Sequence, residues 1–220
     1  MMLSENEKGA IQRKLSPMRD EVTIVVFAEE NSALSKELID FVTQIASFNP
    51  KVKVDQQNAD DGKNQRMREL HIDRWPMLVL QKGDFSRIRY YGIPLGYEVP
   101  AFLDALVELS QSSTGLSPRA RSTLSTVRRK ANIKIFVLPT CPFCPTVARH
   151  AYRGAIESQK VTAEVIDSQM FPDLATRHAV MGVPKIVLND NLDITGAVTD
   201  VEFFDKLRDS DHALLDSMYG

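Results

Sequence analysis

The chain has 220 residues, 43% of them hydrophobic, and a formal net charge of −2. That length and apolar content allow one large or two small cored domains and exclude a disordered chain, and the near balance of charge leaves no basic excess for nucleic acid. No apolar run approaches the length of a membrane-spanning helix, and the charged stretch Met1 to Met18 lacks the apolar centre of a secretory signal, so a cytoplasmic, reducing compartment is the expectation.

Ser4 to Glu7 has the S-x-x-E spacing of a capping box, and Ile11 and Leu15 follow four apart, so a first helix is predicted up to Pro17. Glu21 to Ala28 is too continuously apolar for a surface strand and reads as a buried one. Leu34, Leu38, Phe41, Val42 and Ile45 recur at helical spacing until Asn49-Pro50. Val52 and Val54 alternate with lysines in a second strand, and a short helix is predicted around Met67 and Leu70. Pro76 to Gln81 and Ile88 to Tyr91, parted by Lys82-Gly83-Asp84, read as a hairpin. Gly92 to Gly96 is a turn, and Val99, Phe102, Leu103 and Leu106 mark a closing helix.

Gln111 to Gly115 is small and polar, and a domain boundary is placed there, giving units 1–112 and 113–220. The pattern then restarts. Ser117-Pro118 caps a helix bearing Ala120, Leu124 and Val127, and Ile133 to Leu138 is a strand. Thr146 to Ile156 is an amphipathic helix and Val161 to Ile166 a strand. Leu174 to Val180 is a short helix, Pro184 to Asn189 and Ile194 to Gly196 a hairpin, and Val201 to Leu207 a closing helix. Pro76 to Gln81 lies over Pro184 to Asn189 at an offset of 108 residues, with five of six positions keeping their type. Such a match marks an internal duplication of α/β units.

Between the strand ending at Leu138 and the helix that follows stands Thr140-Cys141-Pro142-Phe143-Cys144-Pro145. Both cysteines of the chain are in this motif, which excludes a structural disulfide framework. A C-x-x-C pair where a strand turns into a helix reads as a redox motif, because unpaired N–H groups at a helix start favour the reactive thiolate. Cys141 is expected as the N-cap and Pro142 as the first helical residue, which leaves Pro145 awkwardly fourth. The first unit has Glu29-Glu30-Asn31-Ser32 at the matching place and so carries no disulfide chemistry. A zinc site needs about four ligands, and the two cysteines with scattered histidines do not supply them. His150, nine residues after Cys141, falls on the far side of the helix as a surface or packing residue, whereas His178 is weighed as lying nearer the loop before Pro184.

Cys-Pro-Phe-Cys at the helix start, with Met181-Gly182-Val183-Pro184 opening a later hairpin, resembles the thioredoxin and glutaredoxin superfamily. The tandem arrangement is similar to the protein disulfide oxidoreductases and to the N-terminal domain of the alkyl hydroperoxide reductase flavoprotein, where only the second unit keeps its cysteines. The resemblance implies an α/β fold of two tandem thioredoxin-like domains, each a central mixed sheet flanked by helices. It implies Cys141 and Cys144 as the catalytic pair, Pro142 and Phe143 as apolar contacts, and cis-Pro184 beside them with Val183 offering its backbone to an extended partner. By the same resemblance the clients are protein disulfides, a peroxiredoxin among them, and the donor is a separate flavoprotein of the thioredoxin reductase type, with no bound cofactor. Unlike single-domain thioredoxins, the strand Ile133 to Leu138 holds no carboxylate, so the proton of Cys144 falls to water, a partner, or an acid such as Glu164 or Asp167. Two other functions stay open. One is a glutaredoxin-like enzyme with glutathione as external reductant; the other is a partner-binding adaptor using Trp75 and the Val183-Pro184 edge. For Trp75 itself, core packing is the favoured expectation.

Overall fold

The computed structural model describes residues 4–59 and 64–219, with side chains described as far as Asp211. Residues 1–3, part of the charged opening stretch read above as lacking a secretory signal, lie outside the described residues. No helix among the described residues is long and apolar enough to cross a membrane.

The order of elements is α1 (Glu5–Leu15), β1 (Val22–Ala28), α2 (Ala33–Ser47), β2 (Val52–Asn58), α3 (Gln65–Glu69), β3 (Met77–Lys82), β4 (Phe85–Tyr91) and α4 (Glu98–Gln111). It then repeats as α5 (Pro118–Ser125), β5 (Ala131–Val137), α6 (Cys144–Glu157), β6 (Val161–Asp167), α7 (Pro172–Arg177), β7 (Lys185–Leu188), β8 (Leu192–Thr195) and α8 (Asp200–Tyr219). Ser4 and Glu7 close the capping box of α1, and Ser117 caps α5 through the Ala120 N–H. α7 opens and closes earlier than predicted. Pro172 stands in its first turn, and Ala179, at φ 49°, turns the chain out before Val180.

Within each unit the strands pair alike. β1 is parallel to β2 and antiparallel to β3, as β5 is to β6 and β7. The two four-stranded halves join into one sheet, ordered β2-β1-β3-β4-β6-β5-β7-β8, because β4 runs parallel to β6 with Ile88 opposite Ala163. Side-chain alternation assigns the layers. Ile24, Val26, Ile133, Ile135 and Val137 face one core with α1, α2, α4, α5, α6 and α8. Val25, Phe27 and Phe136 face the other, with α3 and α7.

α4 packs on α6 across the seam, where Arg153 grips Glu108 with two nitrogens, the shorter contact 2.7 Å, and Arg149 pairs with Asp104 at 2.9 Å. The loop before α4 is held equally closely. Gly96 has φ 58°, its place for a Cβ is filled by the Pro139 carbonyl, and the next N–H, of Tyr97, donates to that carbonyl at 3.0 Å. Gly96→Ala is therefore expected to cost about 2 kcal/mol, combining left-handed strain with a clash against backbone. Urea midpoints of the two chains would measure it, and equal midpoints would mean that the loop yields freely.

Candidate active site

β5, between β6 and β7, delivers the motif. The chain leaves the strand at Leu138 and turns, the Cys141 N–H donating to the Leu138 carbonyl at 3.0 Å. α6 begins at Cys144, two residues later than expected, so Cys141 is not the N-cap and Pro142 is not helical; Phe143 holds the cap position without a side-chain bond. The prolines supply the reason. A helix opened at Pro142 would need the missing N–H of Pro145, but one opened at Cys144 makes Pro145 second, where no intrahelical donor is used.

The helix end still serves the sulfur. The Cys144 N–H points at Cys141 Sγ, with 3.2 Å from N to S, an arrangement that favours negative charge on that sulfur. Cys141 and Cys144 form a disulfide, with Cα atoms 5.6 Å apart. Cys141 is 8% exposed and Cys144 not at all, so an incoming group meets Cys141 first. Phe143 between them is 63% exposed, and Pro142 is exposed as well. On the other side, the Val183 carbonyl oxygen lies 3.8 Å from Cys141 Sγ. The Val183-Pro184 bond is cis, and the Pro184 carbonyl is taken up by the Gly196 N–H at 2.8 Å. The structure thus brings Cys141, Cys144, Pro142, Phe143, Val183 and Pro184 into one place.

The first unit repeats this geometry without sulfur. Trp75-Pro76 is also cis, and Ser32 caps α2 through the Ser35 N–H at 3.3 Å. Trp75 is half-buried against the core of the α3 and α7 face.

Strand parity separates the two acids that the sequence left open. Glu164 projects to the α3 and α7 face, away from α6, and pairs with Arg89 at 3.3 Å. There it lines a polar cavity of about 430 Å³ that also holds His71, Lys134 and His178. His178 is therefore not beside the dithiol; its ring packs on Phe136 at 5.2 Å. Asp167 lies on the α6 side, 1% exposed, and accepts the N–H groups of Gln169 and Met170 at 2.8 and 3.2 Å. Burial pushes its carboxyl above the usual range, against the pull of those two bonds. His150 packs at 5.8 Å from the Phe203 ring, and burial lowers its pKa.

Glu98 is the acid that the sequence reading missed. It opens α4, is 1% exposed, and neither carboxyl oxygen has a hydrogen-bond partner among the described residues. Burial pushes it up to about 8, with Arg149 on α6 opposing and Asp167 adding to the rise. The hydroxyls of Tyr90 and Tyr152, both deeply buried, are also without a protein partner among the described residues and sense the same carboxylate. A signal existed. Glu98 stands four and eight residues before Phe102 and Leu106, on the apolar stripe of its helix.

Comparison with known proteins agrees with this geometry. Residues 131–209 match the family model of the thioredoxin domain. Over 94% of the chain, the structure superposes with a TM-score of 0.87 and 27% identity on an alkylhydroperoxide reductase component of Enterococcus faecalis, covering all of that chain. A protein disulfide oxidoreductase from Aeropyrum pernix gives the same TM-score at 22% identity, over 97% of this chain and 95% of that one. Curated relatives include an NADH dehydrogenase of Bacillus subtilis, 21% identical over 94% of this chain, and an alkyl hydroperoxide reductase component of Pseudomonas putida, 24% identical over 86%. The chain spans 38% and 34% of the length of those two relatives. It has a thioredoxin-like fold, with a C-x-x-C disulfide in the half that matches the thioredoxin domain.

Proposed function

We propose that this chain reduces protein disulfides by cycling the Cys141–Cys144 pair between dithiol and disulfide. The observation that carries the reading is the asymmetry of the pair. Cys141 reaches the surface with a helix N–H on its sulfur, while Cys144 is sealed behind it.

In the reducing direction, the Cys141 thiolate attacks one sulfur of a client disulfide, and the other client sulfur leaves as a thiolate that takes up a proton. Cys144 then loses its proton and attacks Cys141 Sγ. The second client sulfur departs, two electrons have passed to the client, and the Cys141–Cys144 disulfide remains. Glu98 and Asp167 are among the buried acids on the α6 side, and Glu98, raised by burial to about 8, takes that proton only in its ionised form, which gains population as pH rises toward 8. A flavoprotein unit of the thioredoxin reductase type returns the dithiol. The relatives named for alkyl hydroperoxide reduction support a peroxiredoxin as one client, and the relative named for NADH oxidation supports NADH as the source of electrons. The reading places the chain in the cytoplasm.

Cys144→Ser supplies the test. With the resolving sulfur gone, a disulfide client should remain bound to Cys141 as a mixed disulfide, visible as a dithiothreitol-sensitive adduct on a non-reducing gel. Absence of any adduct with a peroxiredoxin disulfide and with insulin would sink the reading.

A further inference from the structure

Three loops meet at the dithiol, and none of them holds a charged residue. They are residues 92–97, 139–143 and 179–184, in a chain of which 25% is Asp, Glu, Lys or Arg. The first belongs to the other unit. Gly96 and Tyr97 fix it to the motif loop through the Pro139 carbonyl, two residues before Cys141. Of the charges bordering the three loops, Glu98 is buried, Arg149 is held by Asp104 at 2.9 Å and Lys185 by Asp193 at 2.7 Å, while Arg177, two residues before the third loop, is exposed.

The same loops carry most of the large apolar side chains left in water. Among the described residues four large hydrophobics are exposed, and three of them are Tyr97 at 55%, Phe143 at 63% and Met181 at 96%. Phe143 stands between the cysteines, and Met181 two residues before Val183, whose carbonyl touches Cys141 Sγ. Single exposed apolar residues are ordinary, but three on adjoining uncharged loops around a reactive disulfide mark a contact surface.

We infer that Tyr97, Phe143 and Met181 form one uncharged docking rim, shared between the two units, for a protein whose disulfide lies in an apolar, uncharged segment. This inference rests on the disulfide-reductase reading above. It gives the first unit a part in choosing the client, because Tyr97 offers a large contact area with few rotatable bonds. A small disulfide reaches Cys141 without spanning the rim and gains nothing from Tyr97. Since the rim itself carries no charge, association should respond weakly to salt.

The test uses the full chain, with insulin as the protein disulfide, hydroxyethyl disulfide as the small one, and dithiothreitol as reductant. Tyr97→Ser is expected to lower kcat/KM for insulin about tenfold relative to that for hydroxyethyl disulfide, and Tyr97→Phe to restore most of it. In the unaltered chain, the insulin rate should stay within about twofold between roughly 0.05 and 0.5 M salt. Equal effects of Tyr97→Ser on both disulfides, or a salt-sensitive insulin rate, would overturn the docking rim and leave the reductase reading standing. Turnover of neither disulfide by the unaltered chain would overturn that reading, and the rim with it.

Discussion

Cys141→Ser is expected to abolish turnover with every disulfide, protein or small, by roughly 10³-fold or more. Serine keeps the size of the side chain, so the fold survives. What is lost is a thiol, which ionises far more readily than a hydroxyl and so supplies the anion that attacks sulfur. Cys144 does not replace it, being wholly enclosed in the core, where a client sulfur does not reach it. Reduction of insulin by dithiothreitol, corrected for the uncatalysed rate, measures the effect, and thiol counting confirms that Cys144 is present and reduced. Retention of a tenth of the parent rate would remove Cys141 from the centre of the mechanism. The contrast with Cys144→Ser sharpens the outcome, since that variant should start the reaction and stall at the adduct.

Much of this site was legible before the fold was known, and the limits of that legibility are physical. The buried strands β1 and β5 are short continuous apolar runs, and the hairpins announce themselves by Gly83 and by the repeated proline that opens β3 and β7. Local signals of this kind located the dithiol. The joining of the two halves had no such signal, since parallel pairing of β4 with β6 depends on residues 75 positions apart, such as Ile88 and Ala163. The start of α6 was misplaced because two prolines compete for one helix N-terminus, and the missing N–H of Pro145 decides for the later start. Glu164 and Asp167 were indistinguishable by composition, yet three positions along a strand put them on opposite faces. Glu98 drew no attention in the sequence, because an acid at a helix start is ordinary and its burial shows only in the folded chain.

Glu98→Gln should change how stability depends on pH, and the sign follows from the direction of the shift. In the folded chain the Glu98 carboxyl is pushed up to about 8 by burial, from an ordinary value of 4.5. Between those two values the folded chain holds a proton that the unfolded chain has released, so raising the pH favours unfolding. The contribution of this group is complete below pH 4.5 and is lost as pH rises through about 8, a span corresponding to about 5 kcal/mol. Glutamine has the shape of the protonated acid and nothing to titrate. The stability of Glu98→Gln relative to the parent should therefore climb from about pH 5.5 to about pH 8.5, by a few kcal/mol. His150 works in the opposite direction, because burial lowers its pKa, but it is present in both chains and drops out of the difference. Urea midpoints of the two oxidised proteins at several pH values across that range supply the comparison. Parallel curves would mean that Glu98 is already ionised in the folded protein across that range, and that burial does not raise its carboxyl to about 8.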